Sequence, residues 1–175
     1  MAATEKKTMR FYQSEDGSRP PTRTVQIAAS QGIWMPGAPC FIDTSGLAEL
    51  ADTADGTGDV IHGFLLGTIT SEAAVNTEFR MSVARPGDIY QVYLETGGTD
   101  LAESQTYVGE QYGLTISTTA GEIGYASLDV GNANAHVQVV DIMSNLDPVK
   151  FDTSTAPGVA LVKILPATIN ATRAP

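Results

Sequence analysis

The 175-residue chain has one cysteine, two histidines and one tryptophan, and each shortage removes a class of chemistry. Cys40 alone excludes an intramolecular disulfide and a thiolate metal cluster, and such a residue reads as a small buried hydrophobe. His62 lies inside the apolar run Val60-Ile61-His62-Gly63-Phe64 and His136 follows a turn, so both read as structural residues ahead of general bases. No Gly-x-Ser-x-Gly elbow, His-Glu-x-x-His helix, Walker loop or strand-linked Gly-x-Gly-x-x-Gly occurs. No catalytic or cofactor-binding residue is therefore assigned, no cofactor is expected, and the chain reads as a non-enzyme. No apolar run is long enough to cross a bilayer, and the opening residues lack the apolar core of a secretory signal. Synthesis in a cytoplasm and no membrane partner are the expectation.

Positive charge is scarce as well, with 10 Lys and Arg against 20 Asp and Glu and a net charge of −10. A nucleic-acid binder needs a basic stripe to neutralise phosphates, so that class is set aside. The few cations are unevenly placed. Residues 1–24 hold Lys6, Lys7, Arg10, Arg19 and Arg23 against Glu5, Glu15 and Asp16, while the remaining residues are strongly acidic. Either a solvated terminus or an arm lying on an acidic partner surface would have this composition. Pro20-Pro21 forbids regular helix there, and the pair Phe11-Tyr12 is expected to dock on the chain itself or on a neighbour. The acidic, Gly-rich stretch 52–59 fails as an EF-hand loop. With Gly56 in the sixth position, Ala51 falls at the first and His62 at the twelfth, where a carboxylate belongs, so a solvated turn is the better reading and no metal is assigned.

What the chain does have is Thr, Gly, Ala and Val in short apolar stretches separated by turn chemistry, the pattern of a β protein. Strands are expected over 24–29, 39–43, 60–69, 78–84, 88–95, 106–108, 113–117, 123–129, 135–143 and 158–165. Short helices are expected only at 46–51 and at 100–106, the latter with Asp100 as N-cap. Residues 78–84 and 88–95 flank Arg85-Pro86-Gly87 and read as two core strands held in register by Pro86-Gly87, with Gly97-Gly98 closing the second. In that second strand Tyr90, Val92 and Leu94 form one face. Ile89, Gln91 and Tyr93 form the other, which needs cover from another strand, a partner subunit or Phe11-Tyr12. Residues 122–143 read as a hairpin, and no internal repeat of fixed period is visible. Trp34, in a loop, is a core plug by default and an interface anchor otherwise.

The fold class expected is mainly β: a small barrel or sandwich of short, mostly antiparallel strands, with little helix. The chain divides into an extended amino-terminal arm (1–24), a single β-rich domain (25–170) and a flexible tail (171–175).

A strand leads to Pro36-Gly37-Ala38-Pro39, then Cys40-Phe41-Ile42-Asp43, Ser45-Gly46-Leu47 and Ile61-His62-Gly63-Phe64-Leu65-Leu66-Gly67. Later come Pro86-Gly87-Asp88-Ile89-Tyr90-Gln91-Val92, Val108-Gly109-Glu110-Gln111-Tyr112-Gly113-Leu114 and an Asn-rich turn before Val137-Gln138-Val139-Val140-Asp141-Ile142. Over residues 25–143 this succession of turns and short strands resembles the head decoration, or cement, proteins of tailed bacteriophages. The resemblance implies a structural virion protein on the outer capsid surface, often trimeric, whose amino-terminal arm reaches the major capsid protein. Candidate capsid contacts are then Lys6, Lys7, Arg10, Phe11, Tyr12, Arg19 and Arg23. Candidate oligomer or partner contacts are Trp34, Ile89 and Tyr93. The alternative is a carbohydrate- or receptor-binding β module with Trp34, Tyr90, Tyr93 or Tyr107 as stacking platforms.

Overall fold

The computed structural model describes residues 8–28, 34–43, 45–51, 61–67, 77–117, 124–132, 134–148, 154 and 156–165. The chain is mainly β. Strands β1 (Arg10–Ser14), β2 (Thr22–Ile27), β3 (Pro39–Ile42), β4 (Leu47–Leu50), β5 (Gly63–Leu65) and β6 (Glu78–Val83) occupy the first half. Strands β7 (Asp88–Thr96), β8 (Thr99–Asp100), β9 (Gln111–Ile116), β10 (Ala126–Asp129), β11 (Val137–Ile142) and β12 (Val159–Ile164) form the second. A 3-10 turn at Gln105–Tyr107 and the one-turn helix α1 (Met143–Leu146) complete the described elements.

Two closed rings of five strands result. The first runs β2-β4-β3-β5-β6 and returns to β2. The second runs β7-β10-β9-β11-β12 and returns to β7. Closure pairs the strands of each ring on both sides along their shared span, and only staggered strand ends project beyond it. Both rings are wired alike. In each, the first strand pairs parallel with the third and antiparallel with the fifth, while the second lies between the third and the fourth.

The registers also superimpose. Ile27 faces Ala48 as Leu94 faces Leu128, Ala48 faces Ile42 as Leu128 faces Leu114, and Gly63 faces Val83 as Val137 faces Ile164. The inward residues correspond in turn: Val25, Ile27, Ala48, Leu65 and Met81 in the first barrel, Val92, Leu94, Leu128, Val139 and Val162 in the second, all buried. The chain therefore contains a repeat of fold without a repeat of period. From Ile27 to Leu94 the interval is 67 residues and from Ala48 to Leu128 it is 80, because the loops differ in length.

Trp34, Cys40 and Met81 fill the first barrel, with Phe79 edge-on to Trp34 at 6.0 Å. A second core fills the other barrel with Val92, Leu94, Leu114, Leu128 and Val139, and continues through Tyr90, Phe64, Ala84 and Met9 into the space between the barrels. Burying these side chains is the main favourable contribution to folding, at about 25 cal/mol per Å² of apolar surface.

Several pairings differ from expectation. β6 and β7 are not neighbours; β6 closes the first ring, β7 opens the second, and Pro86-Gly87 is the corner between barrels. Residues 122–143 are not a hairpin, since β10 and β11 both pair with β9, one on each side of it. Residues 46–51 hold strand β4 (Leu47–Leu50), not helix, because Ala48 completes a buried ladder between Ile27 and Ile42. Asp100 ends the two-residue strand β8, and Ser104 caps the short turn that follows, where a strand over 106–108 is expected. Gly97 and Gly98 do close β7, with φ of 53° and 82°, the positive values a tight two-residue hairpin requires.

Candidate interaction surface

The amino-terminal segment is fastened to the second barrel although it leads into the first. β1 adds antiparallel to β7, pairing Arg10 with Gln91 and Phe11 with Tyr90, then Gln13 with Ile89 and Ser14 with Asp88 after a bulge. Phe11 sets its ring edge against Tyr90 at 6.1 Å and 77°, so the apolar half of Phe11-Tyr12 docks on its own chain while Tyr12 is exposed. Further along the same edge of β7, at Tyr93–Glu95, β10 takes over.

Charged contacts hold the turn after β1. The Arg85 guanidinium donates to both carboxylate oxygens of Asp88 (2.9 and 3.3 Å) and to the hydroxyls of Ser18 (3.0 Å) and Ser14 (3.4 Å). Asp88 is buried, so the bidentate pair satisfies a carboxylate that water does not reach. Asp16 accepts from the Ser14 hydroxyl and from both the hydroxyl and N–H of Ser18. The Ser18 contacts first, then Ser14, hold its carboxyl well below the usual carboxylate range, with nearby Arg85 adding to the shift. Lys163 on β12 pairs with Glu15.

Between this segment and the two barrels lies a cavity of about 530 Å³ with Met9, Phe11, Met35, Phe64, Leu66 and Tyr90 among its walls and Arg10 at its edge. Its lining is mostly apolar.

Of the residues proposed for capsid contact, Arg10, Tyr12, Arg19 and Arg23 are exposed, Phe11 is half-buried, and Lys6 and Lys7 lie outside the described residues. Arg10 donates to the Thr8 hydroxyl at 2.9 Å. Trp34 is fully buried as a core plug and offers a partner nothing. Ile89 is buried too. The second face of β7 is covered by the chain itself, where Met143 of α1, Val159 and Leu161 pack on Ile89 with Tyr93 and Val140 at their margin. Of the four suggested stacking platforms, Tyr90 and Trp34 are buried, and Tyr107 is half-buried with its ring edge-on to Tyr112. The acidic stretch 52–59 lies outside the described residues.

The groups with chemical potential elsewhere serve the fold. Burial pushes the Cys40 thiol up to about 12. Glu103, also buried, accepts from the N–H groups of Val159 (3.0 Å) and Ser144 (2.8 Å), joining β12 to α1. Each histidine accepts a backbone N–H on Nδ1, His62 from Ile42 at 3.0 Å and His136 from Leu114 at 3.2 Å. Among the described residues no three His, Cys, Asp or Glu side chains come together as a metal site. No helix of the described residues is long and apolar enough to cross a membrane.

Compared with known proteins, the chain matches no family model, no curated protein and no solved structure.

Proposed function

We propose that the protein is a structural virion component that binds the outer surface of a phage capsid and clamps neighbouring major capsid subunits. The observation that carries this reading is the anchoring of the amino-terminal segment at its middle. β1 is fixed to β7 by its ladder, by Phe11 and by the Arg85 and Lys163 contacts, while exposed arginines stand on either side of the fixed turn: Arg10 before it, Arg19 and Arg23 after it. A body that is acidic elsewhere thus presents cations along one segment suited to an acidic lattice surface. Such contacts are individually weak, and three copies joined as a trimer gain avidity from engaging three subunits at once.

Deleting residues 1–23 is a poor test, because it removes β1 and cuts into β2. The triple charge reversal Arg10→Glu, Arg19→Glu, Arg23→Glu leaves the ladder in place. Mixed with expanded capsids of the cognate phage, the native chain should co-sediment and the triple variant should stay in the supernatant. Equal sedimentation of the two, or a native chain that never sediments, rules the reading out. The competing carbohydrate reading predicts instead a glycan-array signal insensitive to these arginines.

A further inference from the structure

We infer that the first barrel carries a strand-acceptor edge at Thr22–Thr24, unpaired among the described residues, that takes an extended, acidic segment of a partner protein. The second barrel supplies the template. There, the amino-terminal half of the first strand runs past the end of its parallel neighbour, and β1 pairs with the edge so exposed, opposite Gln91 and Ile89. By register, Ile89, Tyr90 and Gln91 of β7 correspond to Thr22, Arg23 and Thr24 of β2. In the first barrel the parallel neighbour β4 likewise reaches only Gln26 and Ile27. Among the described residues no strand pairs with the same edge at Thr22 and Thr24.

The edge faces outward and is ready to pair. Val83 donates to the Pro21 carbonyl and Ile27 donates to that of Thr77, which sets the odd-numbered residues of β2 toward β6. The alternation of a strand then turns the N–H and C=O groups of Thr22 and Thr24 the other way, toward the open edge. All three residues are exposed.

Charge decides the occupant. The positions that are Tyr90 and Leu161 around the filled edge are Arg23 and Arg80 around the unpaired one, and Arg19 lies just upstream. Arg80 donates to the Thr22 hydroxyl at 2.8 Å, which holds one guanidinium beside the edge. The acids on the two neighbouring strands, Glu78 opposite Gln26 and Glu49 on β4 beyond Ala48, stand at the far end of β2 from Thr22. A second copy of β1 would set Arg10 opposite Thr24, on the face that already carries Arg80, so self-pairing is disfavoured. A segment with Asp or Glu among strand-forming residues gains both the ladder and the ion pairs, the usual division between affinity and specificity in strand addition.

This inference does not depend on the capsid reading and survives its failure. The test exposes the full-length chain to a displayed library of random peptides and measures the most enriched one by fluorescence anisotropy. Enriched peptides should be acidic and rich in Val, Ile and Thr, and binding should protect the Thr22 and Thr24 amides from hydrogen exchange. Thr24→Pro removes the outward N–H without touching the ladder to β6, and should weaken binding roughly five- to tenfold, as expected for one hydrogen bond. The pair Arg23→Glu, Arg80→Glu, which leaves the backbone unaltered, should abolish the acidic preference. Absence of acidic enrichment, or affinity unchanged in both variants, overturns the assignment.

Discussion

His62 and His136 occupy the same place in two barrels. Each precedes the fourth strand, donates its N–H to the second strand (Cys40 and Tyr112 carbonyls, 2.8 and 2.9 Å), and accepts on Nδ1 the N–H two residues further along. Each also gives its carbonyl to the residue after the fifth strand, Ala84 or Leu165, at 2.9 Å. A side chain that closes a local gap in the ladder explains why both positions hold imidazole: the neutral ring supplies an acceptor where the neighbouring backbone cannot.

The first prediction concerns pH. Burial depresses the His136 pKa, so the unfolded chain binds a proton at a higher pH than the folded one. Its stabilising contribution is complete above the unfolded value of about 6.5 and declines as pH falls toward the lower folded value. Melting temperature should drop between pH 7 and 5.5, before most carboxylates titrate. His136→Asn, whose Oδ1 can replace Nδ1, should flatten that slope, whereas His136→Ala should leave the Leu114 N–H unpaired and cost about 1–3 kcal/mol at pH 7. An unaltered slope in the Asn variant counts against the assignment.

Arg85 couples the corner between barrels to the amino-terminal turn. Arg85→Met leaves the Asp88 carboxylate buried without its partner, and urea unfolding should report a loss of about 2–3 kcal/mol, below the figure for a fully buried pair because the guanidinium is partly solvated. Adding Asp88→Asn to Arg85→Met should recover part of the loss. If the double variant is no more stable than the single, desolvation of Asp88 is not the cause.

Gly37 sits where the segment crosses the first barrel. Its φ is +84°, and a Cβ there would lie 2.2 Å from the Met9 carbonyl oxygen. Gly37→Ala must push the segment away, so a loss of about 2–4 kcal/mol and faster proteolysis around Met9 are expected. Gly17→Ala is the control, since its φ is +70° but nothing lies within 4 Å, and should cost about 1 kcal/mol.

Cys40, sealed inside the first barrel with its thiol pushed up to about 12, should resist an aromatic disulfide reagent at pH 8 in the folded chain. Reaction should follow the unfolding transition in denaturant. Immediate labelling of the native protein would place the thiol elsewhere.

The faces of the strands are legible in the sequence, their neighbours much less so. Alternation puts Tyr90, Val92 and Leu94 on one face, and that face is buried, because a period of two follows from the backbone alone. Nothing in that period says that β10 joins β7 in parallel, with β8 and β9 between them in the chain, so a continuous chain from Ile123 to Ile142 imitates a hairpin. Leu47 and Leu50 imitate a helix by their three-residue spacing until Ala48 is placed in its ladder. The duplication escapes notice because loops shift every interval and paired positions need not share size or chemistry, as with Cys40 and Tyr112. On the candidate surface, the aromatic pair at 11–12 signals that the segment docks. That it docks on the far barrel depends on the corner at Pro86-Gly87 returning β7 to Phe11.

Because β1 lies along β7, tension on the chain ahead of Arg10 directed down the strand axis loads the whole ladder in shear, with Phe11 and the turn anchors resisting together. Met9, lying on Gly37 of the first barrel, is loaded before the ladder carries the force into the second. A pull at this one segment is therefore shared between the two barrels.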